Sequence, residues 1–147
     1  MAALSGPTVA EAVVKYFFFL CLDEHVSFAA SLKALADLKA TNHLEPEYRN
    51  HWVATLHRWK PKLKGIRGRP WSDSPDKRGF EIPVDIEIAS WVTFMNTAEA
   101  EEIEAVLLSR VLEFTDIEIS EGLQITEGTV RYRVGRGLRH LGGYIES

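Results

Sequence analysis

The residues from Phe114 to Leu141 contain the signals for two helix starts separated by a tight turn, and this pattern constrains the fold more than any other part of the chain. Thr115 and Glu118 have the spacing of a capping box, in which each side chain bonds a free backbone N–H of the first helical turn. Thr126 is placed to cap a second helix, with Glu127 near its positive end. The pattern predicts a helix-turn-helix.

The predicted second helix has an apolar side and a basic side. Its apolar positions recur at helical spacing and predict a buried stripe of Val130, Val134, Leu138 and Leu141. Its other side carries Arg131, Arg133, Arg136 and Arg139. Because Glu127 is the only acid among them, the local charge is plus three in a chain of formal net charge −4. This reversal favours an anionic partner, since such a helix commonly enters the major groove of DNA. The alternative is a solvated basic helix in an ordinary bundle.

A family resemblance begins at Glu101 and covers about a third of the chain. Bacterial RNA polymerase sigma factors, especially the small extracytoplasmic-function group, have a C-terminal promoter-binding domain that resembles the run EEIEAVLLSRVLEFTDIEISEGLQITEGTVRYRVGRGLRHL. Within it, the family's recognition helix is similar to ITEGTVRYRV. A helix-turn-helix with the same GTV element also occurs in regulators of the LuxR type, so the motif alone does not identify a sigma factor.

The resemblance implies a set of DNA-binding residues, namely Thr126, Glu127, Thr129, Arg131, Tyr132, Arg136 and Arg139. It also implies that Arg133 forms a structural ion pair with Glu118 of the preceding helix, fixing the crossing of the two helices. The chain departs from the family pattern at Gln124, where a turn glycine is usual, and at Gly135 and Gly137, which interrupt the second helix. Each such glycine lowers helix stability by about 0.5–1 kcal/mol relative to alanine.

The N-terminal half has the pattern of three helices. Thr8 and Glu11 form another capping box before the apolar run AVVKYFFFLCL, which predicts a buried helix. A second helix is predicted to start at Ser27 and to bury Phe28, Leu32, Leu35 and Ala36. A third is predicted to start at Pro46, with an inward face of Tyr48, Trp52, Leu56, Trp59 and Leu63.

The predicted fold is all-α in three parts. Residues 1–63 form a helical bundle, in which FAASLKALADL faintly resembles the polymerase-binding helix of sigma factors and YRNHWVATLHRW their promoter-melting segment. Residues 64–83 concentrate Pro, Gly and charge and form a basic linker, and residues 84–147 form the helix-turn-helix domain. A secondary basic patch consists of Lys60, Lys62, Lys64, Arg67 and Arg69. Phosphate, RNA and an acidic protein surface are all compatible with this patch.

Several classes of function find no support in the composition. The single cysteine, Cys21, cannot form an intramolecular disulfide, which favours a reducing cytoplasm, and the apolar run around it is too short to span a bilayer. The histidines lack metal-binding spacing, so neither a metal nor a cofactor is expected. The acidic residues from Glu99 to Glu104 are interpreted as a solvated helix face without a pocket that could support catalysis.

These patterns, taken with the resemblance to sigma factors, predict a cytoplasmic, non-enzymatic transcription protein of sigma-factor type. Its expected partners are double-stranded promoter DNA and the RNA polymerase core, with an anti-sigma or other regulatory protein as a further candidate and no membrane contact. Two alternatives stay open. The chain can be a degenerate sigma-like module repurposed for binding a protein or small ligand, or a dimeric one-component regulator of transcription.

Overall fold

The computed structural model describes residues 8–60 and 88–145, with side chains for residues 8–60 and 89–142. Every regular element in these ranges is a helix, as expected for an all-α chain. The elements are α1 (Val9–Cys21), α2 (Glu24–Ala40), a 3-10 turn (Pro46–Tyr48), α3 (Arg49–Trp59), α4 (Ile88–Thr97), α5 (Ala100–Val106) with a π-helical continuation (Leu107–Val111), α6 (Asp116–Leu123) and α7 (Glu127–Ile145). The predicted linker, residues 64–83, lies outside the described residues.

Helix α1 forms the centre of the N-terminal half. Its capping box is confirmed, with the Thr8 N–H donating to Glu11 Oε1 at 3.0 Å and the Glu11 N–H donating to Thr8 Oγ1 at 3.1 Å. Four consecutive aromatic residues, Tyr16 to Phe19, have no exposed surface. A helix that is apolar on all sides is stable only when other elements surround it, so α1 is the buried helix that its sequence predicts.

Helix α2 uses a different face from the predicted one. It starts at Glu24, one turn before Ser27, because Asp23 Oδ1 accepts the Val26 N–H at 3.0 Å. Its buried positions are small residues followed by one leucine, namely Ser27, Ala30, Ser31, Ala34 and Leu38. Phe28 is 60% exposed and Leu32 is 53% exposed, so the prediction that they point inward is wrong. Helix α2 packs against α1 and α3, and small residues at its buried positions allow the helices to approach closely.

The described residues on both sides of the 61–87 segment share one apolar core. Trp52 of α3 meets Phe114 edge to face, with ring centroids 6.4 Å apart. Trp91 of α4 donates from Nε1 to the Phe19 carbonyl oxygen at 2.9 Å. The predicted boundary between the helical bundle and the C-terminal domain therefore separates in sequence helices that pack together in space.

Helices α3 and α6 cross very closely at Gly122. A Cβ added to Gly122 would lie 2.5 Å from Val53 Cβ and 2.7 Å from the Asn50 carbonyl oxygen. Real carbon atoms do not approach so closely, so this glycine is required by the contact between the helices. Asn50 Nδ2 also donates to Glu121 Oε1 at 3.1 Å, which adds a polar contact beside the crossing.

Candidate nucleic-acid interface

The two predicted helix starts near the C-terminus are confirmed. Thr115 and Glu118 form the reciprocal capping box of α6, with N–H to oxygen distances of 3.0 and 3.1 Å. At the start of α7, Thr126 Oγ1 accepts the Thr129 N–H at 3.0 Å. Helix α6 ends at Gln124, which adopts the left-handed conformation with φ of 60°. The turn therefore forms without the glycine that commonly occupies such a position.

The apolar stripe of α7 packs against the rest of the protein. Val130, Val134 and Leu141 are buried, and Leu138 packs partly buried against the same core. Their burial leaves the opposite side of α7 open to solvent, as the amphipathic pattern predicts.

The two internal glycines of α7 have different surroundings. At Gly137 an added Cβ would lie 2.5 Å from Val106 Cγ2, so its absence lets α7 approach α5 closely. At Gly135 the nearest atom to such a Cβ is Arg139 Nη1 at 3.7 Å, which is ordinary contact. Helix α7 continues through both positions. Gly137 is thus explained by packing, whereas Gly135 lies on the open side.

The open side of α7 presents most of the predicted DNA-binding residues. The side chain of Arg131 is 62% exposed, Tyr132 is 61% exposed and the side chain of Arg136 is 46% exposed. Thr126, Glu127 and Arg139 are also exposed, and Thr129 is half-buried. These residues lie together on one helix, so a single partner surface could contact them.

Several of the exposed cations have acidic neighbours. Arg131 Nη1 lies 3.8 Å from Asp116 Oδ2 and 3.7 Å from Glu127 Oε1, distances at which an exposed ion pair contributes little. Arg136 is held more firmly, because its Nε donates to Glu102 Oε2 at 2.7 Å. His140 Nδ1 lies 3.0 Å from the other oxygen of Glu102. Acidic side chains of the protein itself therefore balance part of the positive charge of this surface.

The predicted ion pair of Glu118 with Arg133 is replaced by two other contacts. Glu118 Oε2 accepts from Arg49 Nε at 3.0 Å, and the Arg49 guanidinium also lies 4.5 Å from the centre of the Phe114 ring. Arg133 Nη2 lies 3.6 Å from Glu101 Oε2. The reason is the packing of α3 on α6, which brings Arg49 to Glu118 from a position 69 residues away in sequence.

The sequence pattern did not predict that two glutamates of α5 are buried. Glu102 is 4% exposed and Glu104 is 2% exposed, so the interpretation of residues 99–104 as a solvated face is wrong at both positions. Burial is the largest single influence and raises the pKa of each carboxyl group. The hydrogen bonds and positive charges around each group together outweigh it, led by the hydrogen bond from Arg136 to Glu102 and that from His57 to Glu104. The net pKa of each lies below its ordinary value, so both are ionised near neutral pH.

Glu104 joins side chains of two N-terminal helices. Tyr16 Oη donates to Glu104 Oε2 at 2.9 Å, and His57 Nδ1 lies 2.9 Å from the same oxygen. Lys60 Nζ lies 3.4 Å from Glu104 Oε1. Burial and the neighbouring carboxylate raise the pKa of Tyr16 well above its usual value, so its hydroxyl remains a donor. Hydrogen bonding to Glu104 raises the pKa of His57.

Lys60 is the one member of the predicted secondary basic patch that lies within the described residues. Its side chain contacts Glu104. The other four members, Lys62, Lys64, Arg67 and Arg69, lie in the segment 61–87, outside the described residues. Within the described ranges, no cluster of three or more His, Cys, Asp or Glu side chains is arranged to hold a metal ion. Burial raises the pKa of the Cys21 thiol to about 12, which makes it a poor nucleophile.

Comparison with known proteins identifies no relative whose function could be compared with that of this chain. No match to this chain is found among protein-family models, curated proteins or solved structures. None of the helices in residues 8–60 and 88–145 combines the length and the apolar character needed to cross a membrane.

Proposed function

We propose that the protein is a cytoplasmic, sigma-factor-like transcription protein that binds promoter DNA through α7, together with RNA polymerase. The observation that carries this proposal is the exposed basic side of α7, which begins at a capped and accessible helix start. Arg131, Tyr132, Arg136 and Arg139 all lie on that side. The major groove of B-DNA is about 12 Å wide and admits an α-helix of this kind.

The order of residues along α7 supports a division of roles. Thr126 directly precedes α7, and Thr129, Arg131 and Tyr132 occupy its first two turns, where a helix inserted by its N-terminus reaches base edges. Arg139 lies two turns beyond Arg131, at a distance suited to the phosphates flanking the groove. In this arrangement the first group determines sequence preference and the second contributes affinity.

The acidic neighbours of the arginines are compatible with DNA binding. The contacts of Arg131 with Asp116 and Glu127 are longer than 3.6 Å and solvent-exposed, so phosphate or a guanine edge can replace them at low cost. Arg136 uses Nε for Glu102, which leaves nitrogen donors of its half-exposed guanidinium for a partner. Gly135, on the open side of the same helix, leaves room for close approach.

DNA binding can be tested by fluorescence anisotropy with labelled double-stranded promoter fragments from the source genome. We expect Arg131→Ala to weaken binding to a preferred fragment by about 1–3 kcal/mol, because a bidentate contact with a base is lost. Arg110→Ala is the matched control, since Arg110 is an exposed arginine outside α7. Raising the salt from about 50 to about 200 mM should weaken binding steeply. Absence of binding at low salt, or equal loss in both variants, would contradict the proposal.

Exposed apolar residues of α2 favour a second candidate function, a sigma-like module that binds another protein. Phe28 and Leu32 lie four residues apart on one side of α2 and are both more than half exposed. Affinity purification from the source cells distinguishes the candidates. Recovery of RNA polymerase subunits favours the sigma-type role, and recovery of another protein without DNA binding favours the module. A homodimer that binds palindromic DNA would indicate a one-component regulator.

A further inference from the structure

We propose that the contact between His57 and Glu104 is a proton-controlled latch that fastens α3 to α5. This inference does not depend on DNA binding, because it concerns how the two halves of the chain are joined. Glu104 belongs to α5, which also holds α7 through Glu102, whereas His57 belongs to α3. A change in the strength of the latch therefore acts at the junction between the N-terminal helices and the C-terminal ones.

The geometry places the two members of the latch in different environments. The side chain of Glu104 is 3% exposed, whereas that of His57 is 51% exposed. The imidazole can therefore exchange a proton with water while the protein stays folded. The charge that it faces remains buried, and an electrostatic interaction with a buried group is weakened less by solvent and salt.

The charged and titratable groups around the latch come from three helices besides α5. Tyr16 of α1 donates a hydrogen bond to Glu104, and Lys60, the C-cap of α3, lies beside the same carboxylate. Arg133 of α7 and Lys60 both repel a proton on His57, but the hydrogen bond with Glu104 outweighs them. Tyr16 keeps its proton at neutral pH because its pKa is raised. Among these groups, His57 is the one whose charge changes near pH 7.

Loss of the proton loosens the latch without abolishing the hydrogen bond. Because Glu104 is ionised and accepts from His57 Nδ1, this nitrogen carries a hydrogen in both charge states of the ring. Deprotonation therefore removes the positive charge but leaves a neutral donor in place. Lys60 Nζ, at 3.4 Å, then remains as a cation bound to the buried carboxylate. The expected result is more frequent local opening between α3 and α5 at high pH.

The sign of the pH effect follows from the two pKa shifts. His57 has a folded pKa above its ordinary value of 6.5, so its contribution is complete below that value and is lost as the pH rises through the folded pKa. Glu104 has a folded pKa below its ordinary value of 4.5, so its contribution is complete above that value and is lost as the pH falls through the folded pKa. The latch is strongest between pH 4.5 and pH 6.5.

Hydrogen–deuterium exchange of the full chain at pH 6 and pH 8 tests the latch, after correction for the intrinsic exchange rate at each pH. We expect peptides from α3 and α5 to lose protection at the higher pH, by up to about tenfold for each unit by which the pKa of His57 is raised. Peptides from α2 should change less. In His57→Gln, which keeps a polar side chain but cannot gain a proton, the pH effect on α3 and α5 should disappear.

Two matched variants separate the latch from other histidines. His25→Gln removes an exposed imidazole of α2, and His140→Gln removes the imidazole bound to Glu102; both should keep the pH effect on α3. NMR titration of the His57 ring in the unmodified protein tests the same idea without a substitution and should give a pKa above 6.5. A ring pKa at or below 6.5, or an unchanged pH effect in His57→Gln, would overturn the proposal.

Discussion

Glu102 and Glu104 are two residues apart on α5 and almost equally buried, yet they connect to regions of different character. Glu104 binds Tyr16, whose side chain is fully buried in the N-terminal half, as well as the half-exposed His57. Glu102 binds Arg136 and His140, whose side chains are each 46% exposed on α7. The same residue type can thus satisfy a fully buried partner in the interior or hold only half-exposed partners at the surface, according to where those partners lie.

Replacement of each glutamate should have the largest effect on stability and should differ between the two positions. Glu104→Ala leaves the buried hydroxyl of Tyr16 without its acceptor, so we expect a loss of about 1–3 kcal/mol in the free energy of unfolding. Glu102→Ala should cost less, because Arg136 and His140 can bond to water instead. Urea denaturation at pH 6 measures both. Equal losses would show that exposure of the partners does not determine the cost.

The side of α7 that packs against α5 carries Gly137, and its open side carries Gly135, so the two sides can be compared by replacing these glycines. Gly137→Ala places a carbon 2.5 Å from Val106 Cγ2, and we expect a loss of about 1–3 kcal/mol from overpacking. Gly135→Ala has room and should stabilise the protein by about 0.5–1 kcal/mol, since alanine favours the helix. Thermal and urea unfolding of the two variants should shift in opposite directions. A stabilised Gly137→Ala would contradict close packing against α5.

The pH dependence of stability tests the interaction of Glu104 with its titratable partner His57. Because the folded pKa of His57 is raised, the free energy of unfolding should fall as the pH rises through that value. We expect the change to be below about 1 kcal/mol, since the imidazole is half exposed. Urea unfolding from pH 6 to pH 8 measures it, with His57→Gln as reference. The reverse slope, relative to that variant, would contradict the assignment.

The smallest effect on stability is expected on the open side of α7. Arg131 has only distant acidic neighbours and is 62% exposed, so Arg131→Ala should change the free energy of unfolding by no more than about 0.5 kcal/mol. Thermal unfolding measures this change. A much larger loss would mean that Arg131 has a structural role and would weaken its use as a probe of DNA binding.

Local signals in the sequence predicted three helix starts correctly, although the start of α2 lies one turn before the predicted Ser27. Thr8, Thr115 and Thr126 cap their helices as expected, because a cap and its target lie within three residues of each other. The apolar stripe of α7 was also predictable, since a repeat at helical spacing is a property of one segment. Such signals recovered the helical class, α1 and the α6–α7 pair.

Contacts between residues far apart in the sequence could not be predicted from such local signals. The burial of Glu104 depends on Tyr16 and His57, which lie 88 and 47 residues away. Arg49 reaches Glu118 only because α3 packs on α6, whereas the resemblance of the C-terminal segment to sigma factors, which covers neither Arg49 nor α3, implied a pair of Glu118 with Arg133. The exposed position of Phe28 likewise depends on which face of α2 packs against α1 and α3. Each of these errors concerns which surface a neighbouring helix covers.

The crossing of α3 and α6 at Gly122 has a consequence for how this chain can vary. Shortening Val53 would not make a larger residue acceptable at position 122, because the Asn50 carbonyl oxygen would still lie 2.7 Å from the added carbon. A main-chain atom cannot be trimmed by substitution. Position 122 therefore has no compensating partner, and in a saturation library it should tolerate fewer replacements than many fully buried positions.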